Sequence, residues 1–244
     1  MAGESSARPA WRSLPAILAL AGPTMLEQLM QTAVQYIDTA MVGTLGKQAV
    51  AAVGSTTTIN WLLSGSVGAL GVGFLAFISR AFGAKREEEA RRASAQAMLF
   101  VLLLGGIFTA VTMGCAERVP VWMQVDPAVR GLAARYFRIL YAPMLFRTAS
   151  ILCGTVLRAA GETRTPMRMG ILINAVNVVM NFFLIYETRT VTLFGHALTV
   201  PGAGWGVEGA AAASAASFVI GGVGVFAALW RHPRISPRGM PHRV

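Results

Sequence analysis

Six polar side chains recur through an otherwise apolar stretch near the amino end: Thr24, Glu27, Gln28, Gln31, Gln35 and Asp38. Wound as a helix from Thr24, they fall at about 0°, 300°, 40°, 340°, 20° and 320°, inside an arc of about 100°. The stripe holds two carboxylates. By the same winding, Asn174, Asn177 and Asn181 share an arc of about 60° on a later stretch. A carboxylate among amides and hydroxyls in a low-dielectric cavity either coordinates Na⁺ or takes up a proton. Both are coupling devices, because moving one charge through 100 mV is worth about 2.3 kcal/mol. An anionic cavity also attracts organic cations. Alternatives stay open at this level: the asparagines as interhelical glue, Asp38 in an ion pair with Arg147, Glu27 in a structural role near its helix end.

The elements that must position these groups are long. Of 244 residues, 55% are hydrophobic and 13% charged, half the charged share of an ordinary soluble domain, and the mean hydropathy is +0.56. Such a chain cannot cover itself with polar surface, so lipid is its expected solvent. Six apolar runs follow, at about 13–42, 49–82, 95–115, 136–157, 166–186 and 206–230, each near the twenty residues a span needs. The expected fold is an all-α integral membrane protein, a six-transmembrane-helix bundle over 13–230. Residues 1–12 form an amino-terminal cytoplasmic segment, and 231–244 a basic cytoplasmic tail. A signal peptide is the competing reading of the first run, but the helical pattern extends well past a signal's short apolar region. Ser13 reads as an N-cap, Pro143 as a kink in the fourth run, Gly161 as its C-terminal cap, and Thr165-Pro166 as the start of the fifth. The glycines at 65, 68, 71 and 73, and Gly206, Gly209 and Ala213, read as close-packing surfaces. Asn60, Ser64 and Ser214 are the exceptions expected to face the cavity. Arg147, inside the fourth run, reads as a counter-ion to a carboxylate or to substrate, against snorkelling or a structural pair.

The formal charge is +10. In a soluble protein it would suggest nucleic-acid binding; here the basic residues lie between apolar runs and are read as orientation signals. Fourteen fall on the side of the amino terminus and six on the other, with Arg147 left over. The richer side is expected to be cytoplasmic, with both termini on it, in a plasma membrane and most simply a bacterial inner membrane. Cys115 and Cys153 lie within or at the end of apolar runs and read as core fillers. His196, His232 and His242 sit in a loop and the tail, so no HExxH metal site forms, and no P-loop lysine follows Gly71-Val72-Gly73. No catalytic set emerges, and no cofactor is expected beyond Na⁺ or H⁺.

Four segments carry a resemblance. The stretch from Pro23 to Gly54, with Ile37-Asp38-Thr39-Ala40-Met41-Val42-Gly43-Thr44-Leu45-Gly46 and then Ala51-Ala52-Val53-Gly54, resembles the first-helix signature of the multidrug and toxic compound extrusion (MATE) transporters. Arg80 to Arg86 is similar to that family's loop after the second helix. Leu157-Arg158-Ala159-Ala160-Gly161-Glu162-Thr163-Arg164-Thr165-Pro166-Met167 is similar to its loop between helices four and five, and Gly206-Val207-Glu208-Gly209-Ala210-Ala211 to the start of its sixth helix. The resemblance implies export of organic cations or amphipathic drugs in exchange for Na⁺ or H⁺. It places Asp38 at the family's first-helix cation site, with Asn177 and Asn181 at fifth-helix positions lining the same amino-lobe cavity and Ser214 where a sixth-helix Thr is usual. The second of those asparagines is Asp in some members, which leaves Asp38 as the clearest acid. Glu27, Gln31, Gln35, Asn60, Asn174 and Arg147 are the substrate-cavity candidates.

The resemblance covers one six-helix lobe, whereas the family has two, and alternating access rocks one lobe against the other. The expected partners are therefore membrane lipid, a small organic cation and a second six-helix lobe, in the same longer chain, a partner chain or a second copy. A non-transporting solitary lobe that binds a ligand or assists assembly is the competing reading. An intramembrane enzyme would need a paired acid and nucleophile that the sequence lacks.

Overall fold

The computed structural model describes residues 14–193 and 196–236. The expected segment 1–12, the Ser13 cap, His242 and the end of the tail lie outside them. Eight helices and one hairpin follow in order: α1 (Leu14–Gly43), α2 (Lys47–Gly83), α3 (Glu87–Cys115), α4 (Val119–Trp122), α5 (Pro127–Tyr141), α6 (Met144–Ala159), α7 (Arg164–Leu184), β1 (Glu187–Leu193), β2 (His196–Ala203) and α8 (Gly206–Arg231).

The helix ends follow from local chemistry. Three glutamates, Glu87 to Glu89, occupy the first turn of α3, where the helix dipole favours negative charge. Asp126 caps α5 by accepting from the Ala128 N–H at 2.9 Å, with Pro127 in the first turn. Gly161 ends α6 at φ +83°. Its N–H reaches Arg158 O and that of Glu162 reaches Leu157 O, the paired bonds of a Schellman motif. The start of α7 differs from expectation: Thr163 stands at the cap position without a side-chain bond, and the Glu162 carboxylate accepts from the Thr165 N–H at 3.1 Å.

Four helices, α2, α3, α7 and α8, are each long and apolar enough to cross a membrane, and α5 with α6 makes a fifth span bent by 48°. The kink expected at Pro143 is thus a break between two helices. That run also begins earlier, at Pro127, because the amphipathic turns before Tyr136 bury Val129 and Ala133. The third run likewise begins at Glu87 rather than near residue 95. At 30 residues α1 is long enough to span, but with its polar stripe it is not among those four.

The stretch expected as a turn-rich loop is an antiparallel hairpin pairing Val191 with Leu198 and Thr190 with Thr199. Its β-branched content supports that pairing, and Arg189 lies over the Tyr186 and Phe182 rings at 4.0 and 4.5 Å, fastening it to the end of α7.

Helix α8 packs against α7, α6 and α5, while α3 packs on α6 and α2. α1 leans mainly on α7. Two apolar clusters hold the ends of the bundle. One gathers Val42, Leu63, Phe137, Tyr141 and Ile185; the other gathers Ile78, Met98, Leu152, Leu157, Leu229 and Ile235. Cys153 is buried in the second, and both cysteines are free thiols. Close packing falls largely on other glycines than those expected, among them Gly105 against Leu145 and Gly222 against the Phe146 carbonyl. A Cβ at Gly209 would lie 2.5 Å from Leu184 O, so α7 and α8 touch backbone to backbone. At Gly65, Gly68 and Gly73 nothing described comes within 4 Å; within α2 only Gly71, against Thr155, of the four expected positions is a contact. Past α8 the chain folds back onto α3: Arg91 donates to the carbonyls of Pro233 and Arg234, Arg234 pairs with Glu87, and Ile235 is fully buried.

Candidate functional site

The site lies where α1, α7 and α8 meet. Asn177 and Asn181 are one turn apart on α7 and point inward, 5% and 1% exposed. Lipid would leave such amides unsatisfied, so they turn toward polar partners on the adjoining helices. Asn181 donates through Nδ2 to Asp38 Oδ1 at 2.5 Å, joining the polar faces of α1 and α7. The Asn177 amide completes the set: its nitrogen stands 2.9 and 3.2 Å from the two Asp38 oxygens, and its oxygen accepts from Ser214 Oγ at 3.0 Å.

Asp38, Asn177, Asn181 and Ser214 are therefore one network. Asn181 Oδ1 and Asn174 Nδ2 are buried and make no hydrogen bond with described residues. Carboxylate, amide and hydroxyl oxygens are the donors a hard cation takes. Among the described residues no group of three His, Cys, Asp or Glu forms a metal site, so a cation held here would rely on one carboxylate and neutral oxygens.

Other candidates lie elsewhere. Glu27 is taken up by Arg158, Oε2 to Nη1 at 2.9 Å, with the two side chains 13% and 24% exposed. Gly170 of α7 makes room for it, since a Cβ there would stand 3.0 Å from Glu27 Cγ. Gln31 and Gln35 are exposed and make no side-chain hydrogen bond with described residues. The stripe on α1 is thus divided between its two carboxylates, which turn into the bundle, and its glutamines, which stay on the open side. Arg147 does not pair with Asp38. It donates to Ser64 Oγ at 2.7 Å and lies 4.8 Å over the Phe218 ring. Asn60 is half-buried one turn before Ser64 on α2.

Three participants escaped the sequence reading. Arg158 counted only as a loop charge, since nothing local shows that α1 returns beside α6. Tyr136 and Tyr141 looked like ordinary aromatics of an apolar run, yet both are buried beside the charged groups. Two tyrosines shortly before Arg147, which lies well inside the fourth run, were the available signal.

A helical membrane protein with an ionisable group held between three helices is the class this geometry defines. The MatE family model matches residues 23–183. The chain belongs to the MatE family. It is 25% identical over 170 residues to a probable multidrug resistance protein NorM of Thermotoga maritima, a match covering 70% of this chain and 37% of that one. It is 29% identical over 171 residues to the probable multidrug resistance protein YoeA of Bacillus subtilis, covering 70% and 36%. A solved structure described as the outward-facing conformation of a multidrug resistance MATE family transporter superposes with a TM-score of 0.81 at 25% identity. That match covers 93% of this chain and 48% of the other. The chain therefore spans about half the length of that structure and less than two fifths of the two curated relatives.

Proposed function

We propose that this chain is the amino-terminal lobe of an exporter that moves organic cations outward in exchange for Na⁺ or H⁺. The observation that carries the reading is the Asp38 network, a single carboxylate shared between α1, α7 and α8. Binding a cation or proton at Asp38 competes with the Asn181 and Asn177 amide donors for the carboxylate, so occupancy changes the contacts that hold α1 to α7. A ligand shifts a conformational equilibrium only by such a difference in contacts. The MatE membership and the drug-resistance relatives support export as the outcome. A second six-helix lobe would supply the other wall of the cavity, consistent with the half-length match. The distribution of Lys and Arg supports cytoplasmic termini in a bacterial inner membrane.

The test is Asp38→Asn, which keeps shape and removes charge. Drug export measured in everted vesicles from cells carrying the gene in its natural context should fall to background, with insertion unchanged. Export at the wild-type rate would overturn the coupling role.

A further inference from the structure

Helix α7 has two unlike sides. Gly170, Asn177 and Asn181 turn toward α1 and α8 and are buried. On the far side, Arg164, Arg168, Leu172, Ala175, Val179 and Phe182 fall within an arc of about 80°, and all six are exposed. This outer stripe has a charged end and an apolar length. Its two arginines stand one turn apart at the start of the span and make no ion pair or hydrogen bond among the described residues. The neighbouring acid, Glu162, is turned instead to the Thr165 N–H and hydroxyl. At the opposite end the cation is already engaged, since Arg189 lies over the Phe182 and Tyr186 rings. The ten-residue step from Leu172 to Phe182 rises about 15 Å, which matches one leaflet of a hydrocarbon core about 30 Å thick.

We infer that the outer face of α7 is a binding site for an anionic phospholipid, its phosphate held by Arg164 and Arg168 and an acyl chain lying along Leu172, Ala175 and Val179. Guanidinium groups take phosphate oxygens in forked pairs, and each arginine beside an anionic headgroup is worth about fivefold in binding. A free phosphate would meet the arginines and leave the stripe bare. An uncharged lipid would cover the stripe and leave the arginines bare. A second copy in the same membrane orientation would bring the arginine pairs of two chains together, and like charges so placed repel. The occupant that satisfies both parts of the face carries a negative headgroup and an acyl chain. It would brace from behind the helix that the Asp38 network holds from in front.

The experiment is native mass spectrometry of the purified full chain in detergent, titrated with phosphatidylglycerol or with phosphatidylcholine of the same acyl chains. The wild-type chain should bind its first phosphatidylglycerol at least about tenfold more tightly than phosphatidylcholine, as two arginine contacts require. The double variant Arg164→Gln, Arg168→Gln should lose that preference by weakening phosphatidylglycerol alone. Lysine at both positions should keep most of it, since a point charge still binds phosphate. Arg80→Gln with Lys85→Gln removes two exposed charges at the same polar end and should leave binding as in the wild type. Equal losses in the two glutamine pairs would show diffuse attraction to basic charge and overturn the site. So would a wild-type chain without the preference, or displacement of the lipid by glycerophosphate, which has the anion and no acyl chain. A wild-type dimer that phosphatidylglycerol leaves intact and Val179→Asp abolishes would seat a second copy on this face and overturn the lipid site.

Discussion

At the scale of single residues, the two carboxylates of α1 have different fates although both sit on one stripe. Asp38 meets neutral amides, which leave its charge available to an ion; Glu27 meets Arg158, which does not. The Glu27–Arg158 pair is mostly removed from solvent, and a half-broken pair would leave an uncompensated charge. Glu27→Gln and Arg158→Gln should each destabilise the chain by about 1–3 kcal/mol. The double variant should cost less than the sum, with a coupling of about 1–2 kcal/mol in thermal unfolding of detergent-solubilised protein. Additive losses would show that the pair does not hold α1 in place.

At the scale of elements, α1 is the helix least embedded in the bundle. Its side-chain bonds to α6 and α7 include the Glu27 ion pair and the Asp38 network, eleven residues apart. By contrast α7 and α8 are locked by direct backbone contact at Gly209. Gly209→Ala should therefore cost about 1–3 kcal/mol, since overpacking must push two helices apart. Gly73→Ala, with nothing described within 4 Å of its Cβ, should stay within about 0.5 kcal/mol of the parent. The same unfolding measurement checks both, and equal effects would refute the assigned α7–α8 contact. The sequence showed these glycines as equivalent small residues. Only the approach of α7 separated Gly209 from Gly65, Gly68 and Gly73, which have nothing described against them.

At the scale of the whole molecule, broad apolar faces remain uncovered; on α3 alone Leu99, Leu102, Leu103, Ile107 and Val111 are more than half exposed. Lipid covers such faces at no cost. The polar ends lie on opposite sides of this belt: the turn between α2 and α3, the α6–α7 turn and the 232–236 strap at one, the hairpin at the other. Cysteines placed at Ala84 and at Thr190, in a Cys115→Ala background, should report the orientation. An impermeant maleimide should label Thr190→Cys in intact cells and Ala84→Cys only after permeabilisation. The opposite pattern would invert the topology.

Hydropathy alone determined the membrane environment and most of the spans, because burial in lipid needs only length and apolarity. Helical winding alone put Asp38 and the α7 asparagines on inward faces, because a polar group in lipid has few places to go. The tertiary structure decided what the period of a helix does not encode, namely which stripes meet. It joined Asp38 to Asn181 rather than to Arg147, gave Glu27 to Arg158, and set Arg147 against Ser64. Those pairings depend on contacts across the bundle, made by residues up to 143 positions apart, and only packing brings them within reach.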